Sequence, residues 1–183
     1  MATPKPKRQS HLVFVLGGAS SGKSEIALRF ALKGIGKAAP RAFLATGEGL
    51  DEEMATKIAR HRKSRSSAWV TAEVPVDLAG WIEKHGQEYR VIVVDCLTMW
   101  LSNHCGLGSH DRQVLQDVRL FVQAIRCLAA RVVLVANELG MGLVPVDAAS
   151  RRFRELAGAV NRLIAEEADE SYLVVSGLSI RLK

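Results

Sequence analysis

The sequence predicts an α/β protein, a mostly parallel β-sheet flanked by helices, and three observations point there. Short apolar runs of strand composition recur at 12–16, 42–45, 91–94, 132–136 and 172–175, as expected of strands buried on both faces. Segments with helical periodicity separate them, at 23–32, 52–63, 76–85, 112–128 and 148–168, so successive strands connect by right-handed crossovers. The first strand runs directly into Gly17-Gly18-Ala19-Ser20-Ser21-Gly22-Lys23-Ser24 and then a helix, the context in which G-x-x-x-x-G-K-[ST] is a phosphate-binding P-loop.

Each element has a local reason. The run 12–16 is unbroken Leu-Val-Phe-Val-Leu. Its loop uses glycine to turn successive backbone N–H groups onto phosphate. Lys23 adds a charge near the β and γ groups, Ser24 offers a hydroxyl to Mg2+, and the helix beginning there adds its positive end. The second strand ends in Ala45-Thr46-Gly47, and Asp51-Glu52-Glu53 supplies acids suited to the start of the next helix. The third run, Val91-Ile92-Val93-Val94, ends in Asp95, which reads either as a carboxylate beside nucleotide and magnesium or as a cap for the following turn. The long segment 148–168 carries Phe153, Leu156, Val160 and Leu163 on one stripe.

Composition narrows the class. With 183 residues, 48% of them hydrophobic, the chain is one domain in size, with enough apolar surface for a closed core. A single nucleotide-binding catalytic domain over 11–183 is expected, after a basic tail over 1–10 rich in Pro and Lys that is expected to be disordered. No run approaches the roughly 18 apolar residues of a membrane helix, and the N-terminus lacks a signal-like apolar segment, so a cytoplasmic protein without a membrane span is expected. Cys96, Cys105 and Cys127 show no metal-type spacing, which suits reduced, partly buried thiols. The net charge of +6 concentrates in the tail and around 60–65. That admits a nucleic-acid partner or small phosphorylated substrates, and an aromatic content of 5% leaves little for base stacking. The expectation is no nucleic acid.

Three further features stay open on residues alone. His61 shares a helical face with Met54 and Ile58, so it reads as an imidazole closing an apolar stripe. It also reads as a neutral nucleophile among Arg60, Arg62, Lys63 and Arg65, whose charge disfavours imidazolium. The segment 137–145 is either a second ligand loop or a turn using Gly140 and Gly142. Arg151, Arg152 and Arg154 face either phosphate or solvent.

Taken in order, G-G-A-S-S-G-K-S, D-E-E-M with I-A-R-H-R (51–62), D-C-L-T-M-W-L-S-N (95–103), N-E-L-G-M-G-L-V-P (137–145) and R-R-F-R-E-L-A-G-A-V-N-R (151–162) resemble the bifunctional adenosylcobinamide kinase/adenosylcobinamide-phosphate guanylyltransferase family of cobalamin biosynthesis. The likeness runs from about residue 11 to Val174-Val175-Ser176-Gly177 and beyond. Its departures are Leu139, where members often carry Val, Ala19-Ser20-Ser21 in place of Ala-Arg-Ser, and a somewhat long stretch 33–40 before the second strand. The resemblance implies a RecA-like P-loop NTPase fold, a homotrimer, and a two-step enzyme with ATP or GTP as substrates. Adenosylcobinamide is phosphorylated, and its phosphate then receives GMP from GTP through a guanylyl-histidine, which the resemblance assigns to His61. It also implies nucleotide contacts at Gly17, Gly18, Ala19, Ser20, Ser21, Gly22, Lys23 and Ser24, at Ala45, Thr46 and Gly47, at Arg62, Lys63, Ser64 and Arg65, and at Glu73 and Asp95. Two other readings remain: a P-loop regulatory ATPase on nucleic acid, and a guanylyltransferase with a weak kinase step.

Overall fold

The computed structural model describes residues 10–36, 38–47 and 68–183. The predicted helix at 52–63 lies outside them. Among the described residues seven strands form one sheet in the order β3-β2-β4-β5-β1-β6-β7: β1 His11–Gly17, β2 Arg41–Ala45, β3 Val70–Glu73, β4 Val91–Asp95, β5 Arg131–Asn137, β6 Glu170–Val175 and β7 Leu178–Arg181. All neighbouring pairs are parallel except β6–β7. The mostly parallel α/β fold expected from the sequence is the one observed.

Burial on both faces explains the unbroken apolar runs. Leu12, Phe14 and Leu16 point into the larger core while Val13 and Val15 alternate into the other, following the two-residue repeat of a strand. Helix α1, Lys23–Leu32, covers the second face with Ile26, Ala27 and Ala31. Helices α2 Leu78–His85, α3 Leu97–Gly106, α4 Asp111–Arg126 and α5 Ala148–Glu167 contribute Ile82, Trp100, Phe121 and Val160 to the first. Each fully buried side chain of this size stabilises by roughly 1.5–3 kcal/mol over leaving it in water. Asp77 and Asp147 start α2 and α5 by accepting from Gly80 N at 2.9 Å and Ser150 N at 2.7 Å, the N-cap bond that satisfies a helix's orphan donors. The stripe predicted on α5 is present, with Leu156 and Val160 buried and Phe153 and Leu163 partly so.

Three elements exceed the expectation. Strand β3 is four residues at the sheet edge with exposed ends, so no apolar run marks it. Strand β7 is exposed throughout. Helix α3 starts two residues after Asp95 without a side-chain cap, so its Leu and Trp residues read as a continuation of apolar chain. Cys127 is exposed, whereas Cys96 and Cys105 are partly buried. Among the described residues no helix is long and apolar enough to cross a membrane.

Candidate functional site

The carboxyl ends of the parallel strands open on one edge, where β1 and β2 are separated by β4 and β5; such a break in strand succession is where α/β sheets bind ligands. Gly17 ends β1 and Lys23 begins α1. Between them Ser20 has φ 55° and Gly22 φ 86°, and left-handed residues at this spacing turn consecutive N–H groups to one side. Ser21 N donates to Gly18 O at 3.3 Å and Ile26 N to Gly22 O at 3.1 Å, starting the helical ladder. Gly18, Ala19 and Ser20 are exposed, and Ser24 lies in the first helical turn. Lys23 Nζ donates to Gly18 O at 3.1 Å, curling over the loop it would share with a phosphate.

Two contacts hold the loop from behind. The β6–β7 turn, with Ser176 at φ 51° and Gly177 at φ 78°, donates Gly177 N to Ser21 O at 2.9 Å, and Glu138 N donates to Gly17 O at 3.1 Å. The sequence reading attached the segment 174–177 to the resemblance without a role; its turn braces the phosphate loop.

Across the sheet, Glu73, Ala45 and Asp95 form one row, Ala45 being paired with Glu73 on β3 and with Asp95 on β4. That juxtaposition unites three of the expected residues, and Glu73 joins them only through the β2–β3 pairing. Thr46 is fully buried. Its hydroxyl donates to Cys96 O at 2.6 Å and accepts from Cys96 N at 2.9 Å, and its carbonyl accepts from Asn103 Nδ2 at 2.8 Å. The Thr46 side chain thus fastens the end of β2 to the end of β4, and its carbonyl is taken by Asn103 of α3. Burial and the Asp95 carboxylate push the Cys96 thiol up to about 11, against the pull of the Lys23 ammonium. Lys23 and Asp95 therefore act on one small region.

Asn137, which the sequence placed in the 137–145 segment without singling it out, ends β5 and is paired with Gly17. Its N–H donates to Thr98 Oγ1 at 2.7 Å and its carbonyl accepts from Asn161 Nδ2 at 3.1 Å. Three arginines in the first turns of α5, Arg151, Arg152 and Arg154, engage protein groups. Arg151 donates to Pro145 O at 3.0 Å, Arg154 to Leu143 O at 2.9 Å, and Arg152 to Asp111 Oδ1 at 2.7 Å, so they hold the 138–147 loop and α4. That loop borders a cavity of about 630 Å³ lined by Leu139, Leu143, Pro145 and Phe153, room for the apolar part of a ligand.

His61, Arg62, Lys63, Ser64 and Arg65 lie outside the described residues. Within the described residues no three His, Cys, Asp or Glu gather as a metal cage. Magnesium arriving with a nucleotide needs only one or two protein oxygens besides phosphates and water, a donor set that Ser24 and Asp95 match.

Residues 13–182 match the family described as "Cobinamide kinase / cobinamide phosphate guanyltransferase". The bifunctional adenosylcobalamin biosynthesis protein CobP of Pseudomonas aeruginosa is 39% identical over 92% of this chain and 95% of its own. The corresponding CobU of Salmonella typhimurium is 36% identical over 94% and 99%. Among solved structures, the flagellar accessory protein FlaH of Methanocaldococcus jannaschii superposes with TM-score 0.56 at 17% identity, over 94% of this chain and 78% of that one. A KaiC-like protein of Pyrococcus horikoshii gives 0.54 at 12%, over 89% and 70%; these two likenesses concern the fold alone. On the strength of the sequence matches, the chain belongs to the cobinamide kinase / cobinamide phosphate guanyltransferase family.

Proposed function

We propose that this chain phosphorylates the hydroxyl of adenosylcobinamide with ATP or GTP, then transfers GMP from GTP to that phosphate to give adenosylcobinamide-GDP. The observation that carries the reading is the P-loop braced at the carboxyl edge of the sheet, in a chain matched along residues 13–182 to a family described by both activities.

In the first step the loop N–H groups and Lys23 hold the β and γ phosphates while the acceptor hydroxyl attacks the γ-phosphorus. In the second, a neutral His61 nitrogen attacks the α-phosphorus of GTP, pyrophosphate leaves, and the substrate phosphate displaces the histidine. Lys23 neutralises the leaving group. Ser24 and Asp95 would hold magnesium, which supplies charge neutralisation at the phosphates. Nucleotide contacts are assigned to Gly17–Ser24, Ala45, Thr46, Gly47, Arg62, Lys63, Ser64, Arg65, Glu73 and Asp95. The chain is read as one catalytic domain over 11–183 after a basic tail over 1–10, working in the cytoplasm as a homotrimer without nucleic acid.

The test is incubation with α-labelled GTP and magnesium, denaturing electrophoresis, and acid or alkali treatment. Wild type is expected to carry an acid-labile, alkali-stable label that His61→Ala lacks. An unlabelled but GTP-binding wild type would overturn the guanylyl-histidine.

A further inference from the structure

Asn137 stands at a position and in a state that folding alone does not explain. It pairs with Gly17, the first residue of the phosphate loop, and Val135, two residues earlier on the same strand, pairs with Asp95. Val93 and Val135 lie in the core under α1, so the two-residue strand repeat places Asp95 and Asn137 on that same face of the sheet. It is the face from which the loop leads into α1. Asn137 is thus set between the phosphate loop and the acid at the end of β4.

Its main chain is pinned while its side-chain oxygen is unpaired. Thr98 of α3 accepts from its N–H and Asn161 of α5 donates to its carbonyl. Asn137 Oδ1, by contrast, is buried with no hydrogen-bond partner. An unpaired buried amide oxygen costs stability, and the five preceding residues of β5 are Val, Val, Leu, Val and Ala, the side chains this environment favours. A polar atom kept unsatisfied in such a place marks a group waiting for a partner. Rotation about χ2 presents either the amide N–H or the oxygen.

We propose that Asn137 hydrogen-bonds the γ-phosphoryl group during the kinase step and makes the site distinguish a nucleoside triphosphate from a diphosphate. This rests on the kinase reading above. In that step the acceptor hydroxyl oxygen bonds to the γ-phosphorus as the bond to the bridging oxygen breaks. The electron pair leaves with the diphosphate, and the hydroxyl proton passes to solvent. Asn137 moves no proton; its N–H meets a non-bridging oxygen on the transferred group. Being neutral, it adds direction where Lys23 adds charge.

The experiment uses the full chain and two variants, Asn137→Ala and Asn137→Asp. Kinase kcat and KM with cobinamide, Kd for ADP and for a non-hydrolysable ATP analogue, and Tm are measured. Removal of one preorganised donor predicts a fall in kcat of about 10²–10³-fold. ADP affinity stays at the wild-type value, the preference for the triphosphate analogue over ADP disappears, and the Ala variant melts no lower than wild type. Asn137→Asp, a similar shape with a repelling charge, loses the same preference. A kcat within about threefold of wild type, or a parallel drop in ADP affinity and Tm, would overturn the proposal. A wild type inactive on cobinamide would instead overturn the kinase reading, and the ratio of analogue to ADP affinity would still decide Asn137.

Discussion

Gly17→Ala separates steric demand in the phosphate loop from its chemistry. A Cβ at Gly17 would lie 2.5 Å from Ser21 Oγ and 2.7 Å from the Val174 carbonyl oxygen, where ordinary contact begins near 3.4 Å. Ser21 is itself buried, so its hydroxyl has little room to turn away. The Val174 oxygen belongs to the backbone of β6, whose Val174 is paired with Gly17. Relief therefore means prising β1 from β6 by several tenths of an ångström at the mouth of the site. Overpacking of this kind costs about 1–3 kcal/mol, which for a chain of this length lowers Tm by about 2–12 °C. Gly18→Ala is the control, because a Cβ there meets nothing within 4 Å and its melting temperature should stay at the wild-type value. Gly22→Ala falls on the costly side, since φ is +86° and Gly177 Cα lies 3.4 Å away. Thermal melts by circular dichroism, with and without ADP, rank the three. A Gly17→Ala protein melting with wild type, or a Gly18→Ala protein melting as low as Gly17→Ala, would refute the argument.

Arg126→Leu should destabilise strongly, because Arg126 is buried and donates to Asp169 Oδ2 at 2.7 Å and to Ser10 O at 3.3 Å. Asp169 keeps 26% of its side-chain exposure, so the loss is put at about 2–3 kcal/mol, below that for a fully buried pair; chemical denaturation measures it. Burial pulls Asp169 upward, yet the hydrogen bonds from Arg126 and Leu12 N and the Arg126 charge hold its carboxyl below the usual range. Its contribution is therefore present above the unfolded value near 3.8 and is lost as pH falls through the lower folded value. The acid limb of a stability–pH curve should flatten in Asp169→Asn, and an unchanged limb would contradict this. With the Cys96 thiol pushed up to about 11 and Cys127 exposed, a disulfide reagent at pH 8 should modify Cys127 first. Cys127→Ser should remove the fast phase, and a fast phase that survives it would refute the assignment.

Legibility followed how far each feature depends on distant chain. The P-loop was readable because strand, loop and helix start are contiguous. β1, β4 and β5 were readable because burial on both faces demands apolar runs. β3 and β7 were not, since edge strands tolerate Thr, Glu, Ser and Arg, and α3 was hidden by the missing cap after Asp95. The strand order, which places β4 between β2 and β5, depends on crossovers that no local pattern states. The same holds at the site. Asp95 was found by a local rule, an apolar strand closing on a polar residue, whereas Glu73 entered only by resemblance because its place beside Ala45 is made by an edge pairing. Thr46 entered by the resemblance, and its hydroxyl is committed to Cys96. Asn137 was within reach of the rule that found Asp95. The run Val132-Val133-Leu134-Val135-Ala136 closes on it in the same way, but the glycines that follow drew the reading to the loop. What the sequence could not state is that Asn137 sits beside Gly17 with an unpaired amide oxygen. That conjunction of register and unsatisfied polarity turns a strand-end asparagine into a candidate for reading the γ-phosphate.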